Sequence, residues 1–346
     1  AYGFNDATVE TDIYNGQNVD LGPIRITGEN LLDTYYEEQQ DMYFDEAAMD
    51  DDEGSAQSIT ALTGASDDIY YNASNYDFST MFFRYRGYDS MYQTTYINGI
   101  AMNDPIRGRF SYSTLGGMTS RAFRNRTNTV GLGAASYGFG NIGGSTNIST
   151  ITSEYAPGFN GSVAYTNSNY MLRGMATYST GINERGWGVT LSAIGRWADE
   201  GVIDGTFYNS AGFFISAEKV FNPANSLTLT IFGAPTQRAT ASATFQEAYD
   251  LADDNLYNPN WGWQDGKKRS ARIVESFDPT FMLNWIFKPN SNTSLNTGVA
   301  FRSVNYSTSA LNWYNAIDPK PDYYRNLPSN FYDDGMPTEE SEYIAN

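Results

Sequence analysis

The residues best suited to holding a ligand lie in the segment of about 235–277. There Tyr249, Tyr257, Trp261 and Trp263 stand beside Asp250, Asp253, Asp254 and Asp265. Aromatic rings and carboxylates together suit a sugar or a peptide. They equally suit a loop packed on neighbouring loops. A second concentration, Asp41, Asp45, Glu46, Asp50, Asp51, Asp52 and Glu53, raises the question of calcium. The EF-hand loop needs an acidic residue five places before its glycine, but Met49 stands five places before Gly54, so that motif fails. A solvated linker is the expected state of this run.

Bond-making chemistry finds little support. The chain has 0 His and 0 Cys, which removes Ser-His-Asp and Cys-His catalysis and the zinc motifs built on those residues. No carboxylate pair stands at an interpretable spacing. The expectation is a protein that is not an enzyme, with no catalytic residue, metal or cofactor. The net charge of −19 argues against nucleic acid as a partner, because a phosphate-binding surface needs a basic footprint.

Between Arg84 and Arg126 the local charge reverses. Arg84, Arg86, Arg107, Arg109, Arg121, Arg124 and Arg126 face only Asp89 and Asp104. One possibility is an anion-binding surface. The expectation favoured here is that these arginines pair with carboxylates on an enclosing polar wall, such as Glu218, where the guanidinium fork suits semi-buried ion pairs.

The elements that would carry these residues change character near residue 160. No apolar run reaches a membrane helix's length of about 18 residues. From Gly161 onward, however, the pattern has period two, which suits barrel strands. Trp187, Val189, Leu191, Ala193, Gly195 and Trp197 share one face against Gly188, Thr190, Ser192, Ile194 and Arg196. The two Trp lie about 33 Å apart along a strand. At a tilt of about 45° this spans roughly the ~25 Å apolar band between aromatic girdles. Trp187, Trp197 and Trp285 are the expected girdle residues, in contact with outer-membrane lipid.

The alternation recurs, giving expected strands near 161–169, 171–181, 187–198, 209–221, 227–234, 278–288 and 293–305. Tight turns at Ile182–Gly186, Asn222–Ser226 and Lys288–Asn292 fall on one side. Long connections at Asp199–Tyr208, about Pro235–Phe277 and beyond Ser307 fall on the other.

Three blocks precede the strands: Phe83–Ser90 with Arg84, Arg86 and Gly87; Thr95–Ile100 with Asn98 and Gly99; and Ser136–Ile148 with Tyr137, Gly138, Gly140, Gly143, Gly144 and Asn147. Asn98-Gly99 suits the φ > 0 positions of a type I′ turn. The glycines of the third block suit a backbone closely approached by another segment. In order and spacing the blocks resemble the plug domain of TonB-dependent outer-membrane receptors, with Asn98 where that family usually has Asp. Within the family, the chain looks like the Bacteroidetes type and closer to Oar-like than to starch-utilisation-type receptors. A lipoprotein partner is optional in that subgroup.

The resemblance implies an all-β membrane barrel with an N-terminal α+β plug. It also implies a domain order of 1–44 (end of an extension and periplasmic linker), 45–155 (plug) and 156–346 (barrel). The seven strands are expected to be the first part of a barrel of about 22. Ile24-Arg25-Ile26-Thr27-Gly28 is one candidate for the segment that pairs with periplasmic TonB by strand addition. The implied function is import of a surface-bound nutrient across the outer membrane of a Gram-negative bacterium. It would be gated by an extracellular ligand and energised through TonB and its inner-membrane motor. An adhesin or scaffold using the same fold without transport is the alternative.

Overall fold

The structure is a computed structural model that describes residues 88, 90–106, 108–119, 121–129, 131–133, 135–165, 170–290, 292–313, 315, 317–333 and 336–337. The acidic run, the candidate TonB-pairing segment, and Arg84, Arg86, Gly87 and Arg107 lie outside these residues.

Four short strands form an inner unit: β1 (Thr94–Ile97), β2 (Ile100–Ala101), β3 (Arg126–Thr129) and β4 (Ser145–Ile148). Their order in the sheet is β2-β1-β4-β3, with β1 and β4 parallel and the other pairs antiparallel. Asn98 and Gly99 close the β1–β2 hairpin with φ of 49° and 82°, as a type I′ turn requires.

Most of the remaining strands build a wall. In chain order they are β5 (Gly158–Tyr165), β6 (Leu172–Ser179), β7 (Trp187–Ala198), β8 (Tyr208–Asn222), β9 (Asn225–Gly233) and β10 (Thr236–Ala239). After β10 come a short helix, α1 (Gln246–Ala252), and a separate hairpin, β11 (Trp261–Gln264) and β12 (Lys267–Ser270). The wall resumes with β13 (Ile273–Phe277), β14 (Thr280–Asn290), β15 (Thr293–Arg302) and β16 (Asn305–Thr308). Every wall pairing is antiparallel.

These segments are seven ribbons, because β9 continues into β10, β13 into β14 and β15 into β16. Two of the breaks are prolines. Pro235 and Pro279 donate no hydrogen bond, but their carbonyls still accept, from Ala211 N–H at 3.1 Å and Ser303 N–H at 3.2 Å. The ribbons therefore stay in register past each break. This corrects the expectation that the whole of Pro235–Phe277 is loop: strand pairing extends to Ala239 and resumes at Ile273. The tight connections at Ile182–Gly186, Asn222–Ser226 and Lys288–Asn292 lie at the end of the wall where β5 begins, whereas the link from β5 to β6, also short, lies at the other end. Among the described residues, β5 pairs only with β6 and β15 only with β14, so the wall is an open arc.

The wall is inverted relative to a water-soluble sheet. Thr190, Ser216, Thr230 and Asn284 are 0–1% exposed, whereas Leu191, Ile215, Leu229 and Phe281 are 37–45% exposed. Polar residues face the inner unit, and an apolar band faces away from it. Water-soluble monomers rarely leave so broad a band uncovered.

The inward face also carries apolar residues. Ile194, Phe214, Phe232 and Met282 point inward and are buried. Phe123 of the inner unit packs edge-on against Phe214 and Phe232, each at 5.1 Å between ring centroids. Burying one such ring is worth about 1.5–3 kcal/mol, so this cluster is a principal apolar anchor between the two parts.

Candidate functional site

The candidate site is the seam where the inner unit meets the wall. It begins at the Asn98-Gly99 turn. Asn98 N–H donates to Ile148 O at 2.9 Å, and Gly99 N–H donates to the side chain of Asn147 at 2.9 Å. The second and third sequence blocks thus lock onto each other. The third block is tight for a visible reason. A Cβ on Gly138 would lie 2.5 Å from the Tyr96 ring, and one on Gly143 would lie 2.7 Å from Tyr92 O. Gly144 adopts a φ of +99° and packs against Thr129 O, while Gly140 lies against Gly133 O. Tyr137 caps the arrangement, with its hydroxyl 2.8 Å from Thr129 Oγ1 and donating to Ser145 O at 3.1 Å.

Asn98 also reaches the wall. Its Oδ1 accepts from Thr150 N–H at 2.8 Å. An N–H can only donate, so the amide orientation is fixed and Nδ2 must point the other way. Nδ2 donates to Thr150 Oγ1 at 2.8 Å and to Asn284 Oδ1 of β14 at 3.3 Å. In return, Asn284 Nδ2 donates to Asn98 O at 3.3 Å, and Asn296 Nδ2 of β15 donates to the same oxygen at 3.0 Å.

The chain leaving the inner unit continues the seam. Thr150 Oγ1 lies 2.9 Å from Thr230 Oγ1, and Thr152 Oγ1 lies 2.9 Å from Ser216 Oγ. Ser216 Oγ donates to Thr150 O at 2.6 Å. The buried carboxylate of Glu218 accepts from Ser153 N–H at 2.7 Å and from its hydroxyl at 3.3 Å. The expectation that Glu218 answers a plug arginine is therefore not met. Its partner is Ser153, three residues beyond Thr150 of the Asn98–Thr150 pair.

Cations cross the seam from the wall side. Arg302 of β15 pairs with Asp278 at 2.7 Å and donates to Met102 O at 3.2 Å and Thr114 Oγ1 at 3.3 Å in the inner unit. Arg196 of β7, also buried, stacks near the rings of Tyr208 at 5.0 Å and Tyr170 at 5.7 Å. A Cβ on Gly117 of the inner unit would lie 3.2 Å from its guanidinium carbon. Of the plug arginines, Arg126 donates to Phe123 O and Thr119 O, both at 2.9 Å and both within the inner unit.

The aromatic loop residues lie apart from this seam. Tyr249 and Tyr257 meet edge-on at 6.5 Å, and Trp261 and Trp263 at 6.3 Å. Trp261 seats on Gly205 of the 199–207 loop, where any Cβ would overlap its ring. Lys268 lies 4.4 Å from the Trp261 ring and bonds Glu200 at 2.5 Å. The Gly205 N–H and then Lys268 hold the Glu200 carboxyl below the usual range, while Glu200 pushes Lys268 up. These contacts fasten loop to loop, and of the two Trp the exposed one is Trp263, at 69%. Trp187 and Trp197 sit exposed at opposite ends of β7. Register places Trp285, stacked on Phe287 at 5.7 Å, on the row of Trp187.

No protein-family model and no curated protein matches the chain. Among solved structures it is similar to the siderophore receptor PiuA from Acinetobacter baumannii, at 17% identity over 65% of this chain and 30% of that one, with a TM-score of 0.47. It is similar to the open form of the ferric-catecholate import receptor Fiu from E. coli K12, at 17% identity over 64% and 33%, with a TM-score of 0.47. It is also similar to BauA, the ferric preacinetobactin receptor from Acinetobacter baumannii, at 14% identity over 64% and 31%, with a TM-score of 0.44. The chain spans roughly a third of the length of each of these structures.

Proposed function

We propose that this chain forms the plug and part of the wall of a TonB-dependent importer in the outer membrane of a Gram-negative bacterium. The observation that carries the proposal is the inverted wall: an apolar band faces outward while a polar inner face is hydrogen-bonded to a separate folded unit. An apolar outer face suits lipid, and the free edges of β5 and β15 would be paired in a closed barrel, since open edges in hydrocarbon cost several kcal/mol per unsatisfied group. An inner unit that fills the lumen makes a passive pore unsuitable and requires an energy source to displace it. The three sequence blocks supply the resemblance to receptors energised by TonB.

On this reading the residues do no bond-making chemistry. An extracellular ligand would be held by the outer loops, with Trp263 the most accessible of the aromatic candidates. Its binding would be relayed to the inner unit, and TonB would act from the periplasmic side. The finer assignments, a Bacteroidetes-type receptor of the Oar-like subgroup with a surface-bound nutrient and an optional lipoprotein partner, rest on sequence resemblance.

Uptake tests the proposal. Cells bearing the intact protein would be offered a defined mixture of labelled oligosaccharides, peptides and ferric chelates, with and without a collapsed proton gradient. Accumulation of at least one solute only with the gradient intact supports import. Equal accumulation of every solute under both conditions contradicts it.

A further inference from the structure

The turn Asn98-Gly99 is set into the wall by shape as well as by hydrogen bonds. A Cβ on Gly298 of β15 would lie 2.6 Å from Asn284 Nδ2 and 2.6 Å from Ile100 Cδ1. The missing side chain is therefore a slot that admits the β1–β2 hairpin between the inward faces of β14 and β15. Gly99 also passes close to β15, since a Cβ there would lie 3.2 Å from Asn296 Nδ2. Asn98 is 5% exposed and Asn284 1% exposed, so the paired amides lie out of water.

The chemistry of this contact differs from that of the charged parts of the seam. Arg302 and Glu218 bring charge across elsewhere, whereas every group at the turn is a neutral amide, carbonyl or hydroxyl. Separating a buried ion pair leaves an uncompensated charge behind. Separating amide from amide leaves two groups that water satisfies equally well. The bonds also form a chain that runs wall to plug to wall: Asn284 on β14, then Asn98, then Thr150, then Thr230 on β9. Moving Asn98 therefore disturbs contacts with β9, β14 and β15 together, the last of them through its backbone carbonyl.

We propose that Asn98, with its receivers Asn284, Asn296 and the Gly298 slot, is an uncharged latch that holds the inner unit on the wall and releases by exchanging its amide bonds for water. Asn in place of an acidic residue is what makes the latch neutral. Its amide donates toward Asn284 Oδ1, which a carboxylate in the same orientation would oppose. The holding role stands on the geometry alone. The role in opening a path rests on the import reading above.

The experiment alters the wall, so that the inner unit's own bonds are untouched. In the full-length protein, Asn284→Ala removes the paired amide, Asn296→Ala removes one exposed donor with little risk to folding, and Gly298→Ala fills the slot. Hydrogen exchange is read at the amides of Asn98, Gly99 and Thr150, with β7–β8 amides as the control for an intact wall. Exchange at the three amides should rise about tenfold or more in each variant with β7–β8 unchanged. Exchange within about twofold of the parent in both Asn296→Ala and Gly298→Ala overturns the latch. Leakage of vancomycin into cells carrying the variants separates the two readings. Faster exchange with more leakage supports both, whereas faster exchange without leakage supports the latch and overturns the idea that this unit closes a pore.

Discussion

Asn98 and Asn284, 186 positions apart in the chain, face each other as a reciprocal pair: the side-chain amide of Asn98 donates to Asn284 Oδ1, and Asn284 Nδ2 donates back to the backbone carbonyl of Asn98, both at 3.3 Å. The pair crosses the boundary between the inner unit and the wall. It shows that the seat is specified by directional neutral groups and not by bulk apolar contact alone.

Replacing Asn98 should therefore give two distinguishable failures. Asn98→Ala orphans Thr150 N–H and should cost about 1–3 kcal/mol at any pH. Asn98→Asp keeps that acceptor but places a carboxyl in a buried position opposite Asn284 Oδ1. Burial raises its pKa above the unfolded value of about 3.9. The protonated form is then favoured in the folded state, so stability falls as pH rises above about 4. Melting temperatures at pH 4 and pH 7 should differ for the aspartate variant beyond any difference in the parent, and only there.

Phe123→Ala should be the most costly single truncation in the inner unit. Its ring touches Phe214 and Phe232, and truncating a buried Phe to Ala typically costs about 3–5 kcal/mol. Denaturant titration of the inner unit's exchange protection measures this directly. A loss below about 1 kcal/mol would mean that the seam repacks freely.

The outer-loop clamp carries a pH signature with a definite sign. Glu200 has a lowered pKa, so its contribution is present above the ordinary carboxylate range and is lost as pH falls through the depressed value. Lys268 has a raised pKa, so its contribution is present below the ordinary lysine range and is lost as pH rises through the elevated value. The clamp should hold constant across neutral pH and loosen at both extremes. Fluorescence of Trp261, taken as the difference from a Trp261→Phe variant, should be flat between about pH 5 and pH 10 and change only below the ordinary carboxylate range and above the ordinary lysine range. Glu200→Gln should remove the acid limb.

Much of the wall was legible because strand alternation is local. Trp187 to Trp197 shows its two faces in consecutive residues, and the turns at Asn222–Ser226 and Lys288–Asn292 punctuate it with Pro, Asn and Ser. Legibility failed where a local signal misled. Pro235 and Pro279 mark a break in donors, but the ribbons continue because proline carbonyls still accept. Phe214, between Phe213 and Ile215, hides its inward direction inside an apolar run. The hairpin glycines were readable from Asn98-Gly99, and the tightness of Gly138 and Gly143 from their clustering. The partners of the seam were not. Nothing in the local sequence ties Asn98 to Asn284 and Asn296, or Glu218 to Ser153, since each pair joins segments brought together only by the fold. The count of arginines suggested ion pairs from plug to wall, and nothing in it pointed to Arg302, which reaches across from the wall.

Planar-bilayer conductance of the intact protein in potassium chloride tests the central claim most directly, that a folded inner unit closes a membrane-spanning wall. Inserted protein should be electrically silent in buffer. It should open in discrete steps when urea loosens the hydrogen-bonded seat, then close again when urea is removed. Steady conductance without urea, or inserted protein that stays silent at urea concentrations that abolish exchange protection at Asn98 and Thr150, would contradict it.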